Sequence, residues 1–557
     1  MVRDTAPRLI PGLEPSLGPS LGPIGRHFCR VGQQWLHYRR MGQGPAVLLL
    51  HQTPQSSQTL EPLMRLLAGQ RTAIAVDTPG FGQSDPLPQA DWSMALLADH
   101  MVRFMDALRI ERAAICGQHT GAAIGAEMAR RHPHRVLALA LDGLPLFNAA
   151  EQASILPHQL YRFVPQPDGT HLMWAWSRFR DGWMFFPWSQ RDLAHRRRLD
   201  FPPPEVIHRM QIMELLRSRE HHLRIYPGVF AWDGIEAIRA LSQPCWIGTH
   251  ADDQLFPHMQ RLPQALAHVT MQNDLPIGAR SQVWQAQARW VLDHPSGDDA
   301  PPEPALRGLG GGADARRYAQ GLLVQGWQLD RSGPITLLLH GAGSSGACEM
   351  QRHTLDGPVL AVDLPGHGDS DGPVLGCEDA ARKLSQALAE LDLPALQVRA
   401  RGYGAAVAAH WALQCAAAPA TPTCRPLALD LHEVAGSASR TQWRTRYAQP
   451  IVPAWDGTHL IALWHELRDR ELFHPWFERQ RDNIRTAEPH IDAASLTQAL
   501  FAALQCENWA LAHQHWLDWD PQGGQGLAAV QRAGTPLSVC AQADDGWAHG
   551  LHEWLGG

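Results

Sequence analysis

No C-x-x-C pair and no regular cysteine framework occurs in this chain; its nine Cys are scattered. That excludes a disulfide scaffold and a cysteine-held metal, and fits the reduced thiols of a cytosol. No apolar run approaches the roughly 20 residues needed to cross a bilayer. Residues 1–26 carry Leu-Gly-Pro and Leu-Glu-Pro repeats but neither the basic start nor the apolar stretch of a secretory signal, so a flexible arm on a cytoplasmic, membrane-free protein is expected. The net charge is only -7, with 18% charged residues, which leaves neither a basic stripe for nucleic acid nor an acidic tail. Basic charge is almost all Arg, with Lys383 an exception, and is read as base composition rather than phosphate recognition. There is no H-E-x-x-H, and His221-His222 are adjacent rather than on one helical face, so the 30 His do not spell a metal site. No Gly-rich phosphate fingerprint follows a strand, since Gly310-Gly311-Gly312 sits in a linker-like stretch. Neither metal nor cofactor is expected.

What is present is length and repetition. A chain of 557 residues exceeds what one core usually organises. Asp168-Gly169-Thr170-His171-Leu172 recurs as Asp456-Gly457-Thr458-His459-Leu460, and the same ungapped register pairs Trp176 with Trp464, Arg180-Asp181 with Arg468-Asp469 and Pro187-Trp188 with Pro475-Trp476. Flanking runs repeat in order: Val47 to His51 with Leu337 to His340, Val76 to Asp85 with Val362 to Asp371, Leu141-Asp142 with Leu429-Asp430, and Ala251 to Asp253 with Ala543 to Asp545. Such self-similarity marks a tandem duplication. It predicts domains over 27–293 and 317–557, joined by a Pro, Gly and acid-rich linker at 294–316.

Within the first half, short apolar runs at 46–50, 72–76, 113–116 and 136–141 read as buried strands, and 93–108 and 121–131 as helices. This alternation predicts a mostly parallel sheet covered on both faces.

Both halves, over most of the chain after about residue 30, resemble the α/β-hydrolase superfamily. The resemblance rests on His51 or His340 closing a strand, on the Asp-x-Pro-Gly-x-Gly-x-Ser run after the next strand, and on a strand-turn-helix with small residues around its tip. That tip reads Gly117-Gln118-His119-Thr120-Gly121, the G-x-S-x-G elbow with His in place of Ser. Its second-half equivalent, Ala400-Arg401-Gly402-Tyr403-Gly404, has no side chain at the tip. The resemblance implies a catalytic His after the last strand, yet 269–293 contains none, and the second half is expected to lack its final strand and helix. These departures argue against an ordinary Ser-His-Asp esterase.

Two functional expectations follow. In the first, His119 combines nucleophile-activating and base roles, with Asp142 or Asp253 fixing its tautomer, in a cofactor-independent hydrolase cleaving an ester, lactone or C–C bond of a small apolar carbonyl compound, or in a cofactor-free lyase. The resemblance implies oxyanion donors at Thr120 and in the loop after His51, where Gln52 either sends its amide inward or faces solvent. The insertion at 147–236, like its counterpart at 436–520, is long enough for a helical lid, whose aromatics, Trp176 and Trp188 among them, either line a substrate pocket or form core. In the second expectation the chain is a non-catalytic ligand-binding pseudo-hydrolase. The duplication also allows the two domains to pair within one chain.

Overall fold

The computed structural model describes residues 22–197, 199–263, 266–303, 308–309, 312–353, 355–417, 424–434, 437–486 and 488–540. They fall into two compact units, bounded as Met1–Val164 with Met173–Glu303, and Pro165–Leu172 with Pro304–Gly557. Of the expected flexible arm, residues 1–21 lie outside the described ones.

The first unit is built on eight strands: β1 (Gly25–Val31), β2 (Gln34–Met41), β3 (Ala46–Leu50), β4 (Thr72–Val76), β5 (Ala113–Gln118), β6 (Val136–Asp142), β7 (Cys245–Gly248) and β8 (Val269–Gln272). They lie in the order β1-β2-β4-β3-β5-β6-β7-β8. β1 to β2 and β2 to β4 are antiparallel, and all later pairs are parallel. Side chains alternate across the sheet: Leu48 and Leu50 join one core with Ile74 and Ile115, while Val47 and Leu49 join another with Ala73 and Ala75. Burial on both faces explains why β3, β4 and β5 read as continuous apolar runs. The helix Met94–Ala107 starts at Ser93, whose side chain accepts from the Leu96 N–H, an ordinary N-cap.

Two boundaries differ from those expected. β1 begins at Gly25, so Gly25 and Arg26 are paired with Arg40 and Arg39 rather than belonging to an arm. The start of the expected linker is fastened to the first sheet: Ala300 N–H donates to Gly44 O at 3.0 Å, and Tyr38 Oη and Arg40 Nη1 donate to Glu303 at 2.7 and 3.1 Å.

The second unit contains β9 (Asp314–Ala319), β10 (Leu322–Trp327), β11 (Thr336–Leu339), β12 (Val359–Val362), β13 (Leu396–Arg401), β14 (Pro426–His432) and β15 (Leu537–Cys540). Its order, β9-β10-β12-β11-β13-β14-β15, is that of β1 to β7 in the first sheet. The expected loss of a final strand and helix falls on residues 541–557, outside the described residues. No helix among the described residues is long and apolar enough to cross a membrane.

Candidate active site

The site forms at the carboxyl ends of β5, β6 and β7. β5 delivers the chain to a sharp turn whose tip is His119, with φ +46°, and the helix Thr120–Arg131 leaves it at once. Non-glycine residues at such φ are strained, and the strain has to be held by neighbours. Here the His119 N–H donates to Asp142 O at 2.8 Å and its carbonyl accepts from Ala123 N–H at 3.1 Å. Two glycines make the turn this tight. A Cβ on Gly121 would stand 2.2 Å from Leu50 O, and one on Gly117 would stand 2.5 Å from Gly121 O.

The turn aims the imidazole at the loop after β7. His119 Nε2 lies 2.9 Å from Asp253 Oδ2 and 3.1 Å from Oδ1. Asp253 is itself fixed by its own turn, its Oδ1 accepting from Leu255 N–H at 2.8 Å. Burial alone would raise its carboxyl pKa, but His119 and then Arg280 beside it more than offset this and hold it well below the usual carboxylate range. An ionised carboxylate can only accept, so Nε2 carries the proton and Nδ1 is left with the lone pair when the ring is neutral. Among the described residues no hydrogen bond is made to Nδ1, and the side chain keeps 12% of its surface exposed.

Asp142, the other carboxylate weighed for His119, sits fully buried at the end of β6 and takes its cation from Arg280 Nη1 instead. Arg280 opens the helix Arg280–Asp293 after the last strand of the first sheet. Its Nη2 also reaches Asp253 Oδ2 at 3.3 Å and His250 Nε2 at 2.8 Å. Because guanidinium only donates, His250 Nε2 accepts, and its Nδ1–H faces Asp252 Oδ1 at 2.6 Å. From the insertion, Arg197 Nη2 donates to Asp252 O at 3.3 Å. Three carboxylates, Asp142, Asp252 and Asp253, thus stand against two guanidiniums, Arg197 and Arg280. The surplus negative charge lies beside His119.

Sequence reasoning did not single out Arg280, Arg197 or His250. A signal existed for Arg280: it lies in 269–293, where the resemblance led to a search for His alone. Of the expected oxyanion donors, Thr120 is buried at the start of its helix, where N–H groups have no intrahelical partner. Gln52 spends its amide on Gln55 Oε1 at 2.8 Å, within its own loop. His51 is structural, its Nε2 accepting from Thr78 N–H at 2.9 Å and its Nδ1 facing Gln52 O at 2.9 Å.

The aromatics of the insertion divide between its core and its surface, with Trp174 exposed. Trp176 is buried at 1% exposure. Trp188 donates to His158 O at 3.1 Å, meets Trp174 edge to face and has the guanidiniums of Arg178 and Arg191 over its ring. No group of three or more His, Cys, Asp or Glu able to hold a metal occurs among the described residues.

A family model described as alpha/beta hydrolase fold matches residues 45–264. The chain is similar to bifunctional epoxide hydrolase 2 of Rattus norvegicus, 34% identical over 133 residues, which are 23% of this chain and 24% of that protein. It is also similar to fluoroacetate dehalogenase of Burkholderia sp, 34% identical over 150 residues, 26% of this chain and 49% of that one. The match thus spans less than half the length of either relative. Among solved structures, the enol-lactonase from Burkholderia xenovorans LB400 aligns over 48% of this chain and 98% of its own, at 19% identity and a TM-score of 0.38. Residues 45–264 carry the alpha/beta hydrolase fold.

Proposed function

We propose that the first unit is a cofactor-independent hydrolase in which His119, steadied by Asp253, is the general base acting on a small, fairly apolar carbonyl compound. The observation that carries this reading is the 2.9 Å contact between Nε2 and the Asp253 carboxylate, on a strained tip that leaves Nδ1 unbonded. Nδ1 takes a proton from water as the water oxygen adds to the carbonyl carbon. The resulting oxyanion is held by the Thr120 N–H and by an N–H of the loop after His51. Collapse breaks the bond to the leaving group, an alkoxide or carbanion, which takes the proton back from Nδ1. Ester, lactone and C–C cleavage all fit this balance. A cofactor-free lyase would use the same Nδ1 to remove a proton from carbon.

The chain as a whole reads as a tandem duplication, the first copy with His at the nucleophile tip and the second with Gly. Three features support this: the shared strand order, the similar tip φ of +46° at His119 and +52° at Gly402, and the matched anchoring of Gly402 N–H on His432 O at 2.9 Å. In this reading the helical insertions at 147–236 and 436–520 are lids, and the protein works on a small molecule in the cytoplasm. A ligand-binding role without chemistry is favoured by one observation, that Arg280 rather than a His follows the last strand of the first unit.

Esters, lactones and 1,3-dicarbonyl compounds screened for turnover, with thermal-shift binding in parallel, test the proposal. Turnover by the native chain and its loss in His119→Ala is the expected result. Binding without turnover across the panel would overturn the catalytic reading in favour of the binding one.

A further inference from the structure

The second unit has no side chain at its tip, yet the space over that tip is not filled. Gly402 adopts φ +52°, and a Cβ built there would find nothing nearer than Gly341 Cα at 3.6 Å and Trp516 Nε1 at 3.7 Å. The opening belongs to a cavity of about 160 Å³ at the carboxyl ends of β11, β13 and β14, the end of a parallel sheet where ligands bind. A cavity of roughly 150 Å³ takes one benzene ring, so the guest is the size of a single ring with a small substituent.

The lining fixes the guest's polarity. The lining is aromatic in part, with Trp443, Tyr447, Trp509 and Trp516. It also brings in Arg352, Arg401, Arg470 and Arg485 with two carboxylates, Glu471 at 2.6 Å from Arg352 and Glu433 at 3.5 Å from Arg401. The further counter-charges lie behind: Glu349 pairs with Arg401 at 3.3 Å and Glu466 with Arg470 at 2.6 Å, and neither reaches the cavity wall. The Arg470 guanidinium carbon lies over Tyr447 and Trp509, 4.7 Å from each ring centre. Among the lining residues the buried side-chain atoms without a hydrogen-bond partner are Arg401 Nε, Arg470 Nε and Trp516 Nε1. All three are donors, and buried donors left unpaired are costly. Tyr403 begins the 15-residue helix that follows the tip, so its N–H is among those with no intrahelical partner.

We propose that the cavity over Gly402 is a binding site for a small aromatic carboxylate, held without turnover. The ring stacks within the tryptophan wall, and the carboxylate lies toward the guanidiniums, whose planar fork matches its two oxygens. With no side chain at the tip to attack it or take its proton, the guest leaves unchanged. The site is independent of the chemistry assigned to His119.

Isothermal titration of the full-length chain with benzoate, and with benzyl alcohol as the uncharged counterpart, tests this. Saturable benzoate binding is expected, at least tenfold tighter than benzyl alcohol. Ala499→Leu, which narrows the cavity without touching a charge, should weaken benzoate at least tenfold, and His119→Ala should leave it unchanged. If Ala499→Leu does not fold, Ser495→Phe at another lining position serves. Absence of saturable binding, equal binding of the alcohol, or binding lost in His119→Ala but kept in the cavity variants would each overturn the proposal.

Discussion

Arg280 offers the sharpest test of how the first site is held. It bridges two carboxylates, the fully buried Asp142 and Asp253, and also bonds His250. Arg280→Gln removes the cation and leaves both carboxylates without it. Breaking a buried pair from one side costs about 3–5 kcal/mol. Because Arg280 keeps 23% of its side-chain surface exposed, solvent screening puts the expected loss near the lower end, about 3 kcal/mol. For a unit of nearly 300 residues that is a fall in melting temperature of roughly 5 °C. Arg280→Lys keeps the charge but cannot fork across three acceptors, so it should fall between the two. The pH dependence carries a sign. Asp253 has its folded pKa depressed, so its contribution is present above the unfolded value near 3.8 and is lost as pH falls through the folded one. The gap between native chain and Arg280→Gln should therefore be widest at pH 7 and shrink towards pH 3. Urea denaturation followed by hydrogen exchange at the amides of β5 and β6 measures it. A gap below about 1 kcal/mol at pH 7, or one that does not narrow in acid, would refute the reasoning.

Three further outcomes follow from single contacts. Glu214 is buried against Ser56 Oγ at 2.8 Å, and burial pushes its carboxyl up to about 7. Its contribution is complete below about 4.5 and is lost as pH rises to about 7, amounting to ~3 kcal/mol at most. Glu214→Gln should abolish that decline in denaturation curves taken between pH 4.5 and 8. Gly121→Ala drives a Cβ into the backbone of β3 and should cost about 3 kcal/mol or abolish soluble expression, read as yield and melting temperature. Asp253→Asn releases the imidazole from its fixed tautomer. It should lower kcat by roughly a thousandfold while KM stays within a few-fold, in steady-state assays on whichever substrate the native chain turns over.

How far the sequence reached depended on what kind of side chain carried the signal. β3 and β4 were legible to the residue, because a strand buried on both faces is a continuous apolar run bounded by polar turns. The elbow was legible because Gly117 and Gly121 are demanded by backbone contacts that no other residue permits. The hairpin β1 and β2 was not, since Arg26, Arg30, Arg39 and Arg40 interrupt its apolar alternation. Asp142 and Asp253 could not be separated by sequence, because each reads as repeated in the second half; the strand register instead sets His432 where Asp142 stands, and distance gives His119 to Asp253. Arg280 escaped because its role is electrostatic rather than acid–base, so a search of 269–293 for a His passed over it. The aromatic insertion left two readings open in the sequence, as the same rings that could line a pocket are the ones a small helical layer needs for its own packing.

The claim that one imidazole does the proton transfer is tested most directly by chemical rescue. Turnover by His119→Ala, measured with and without added imidazole, should fall at least a thousandfold and be partly restored by the free base, with the thermal melt nearly unchanged. Activity within tenfold of the native chain in the absence of imidazole would contradict it.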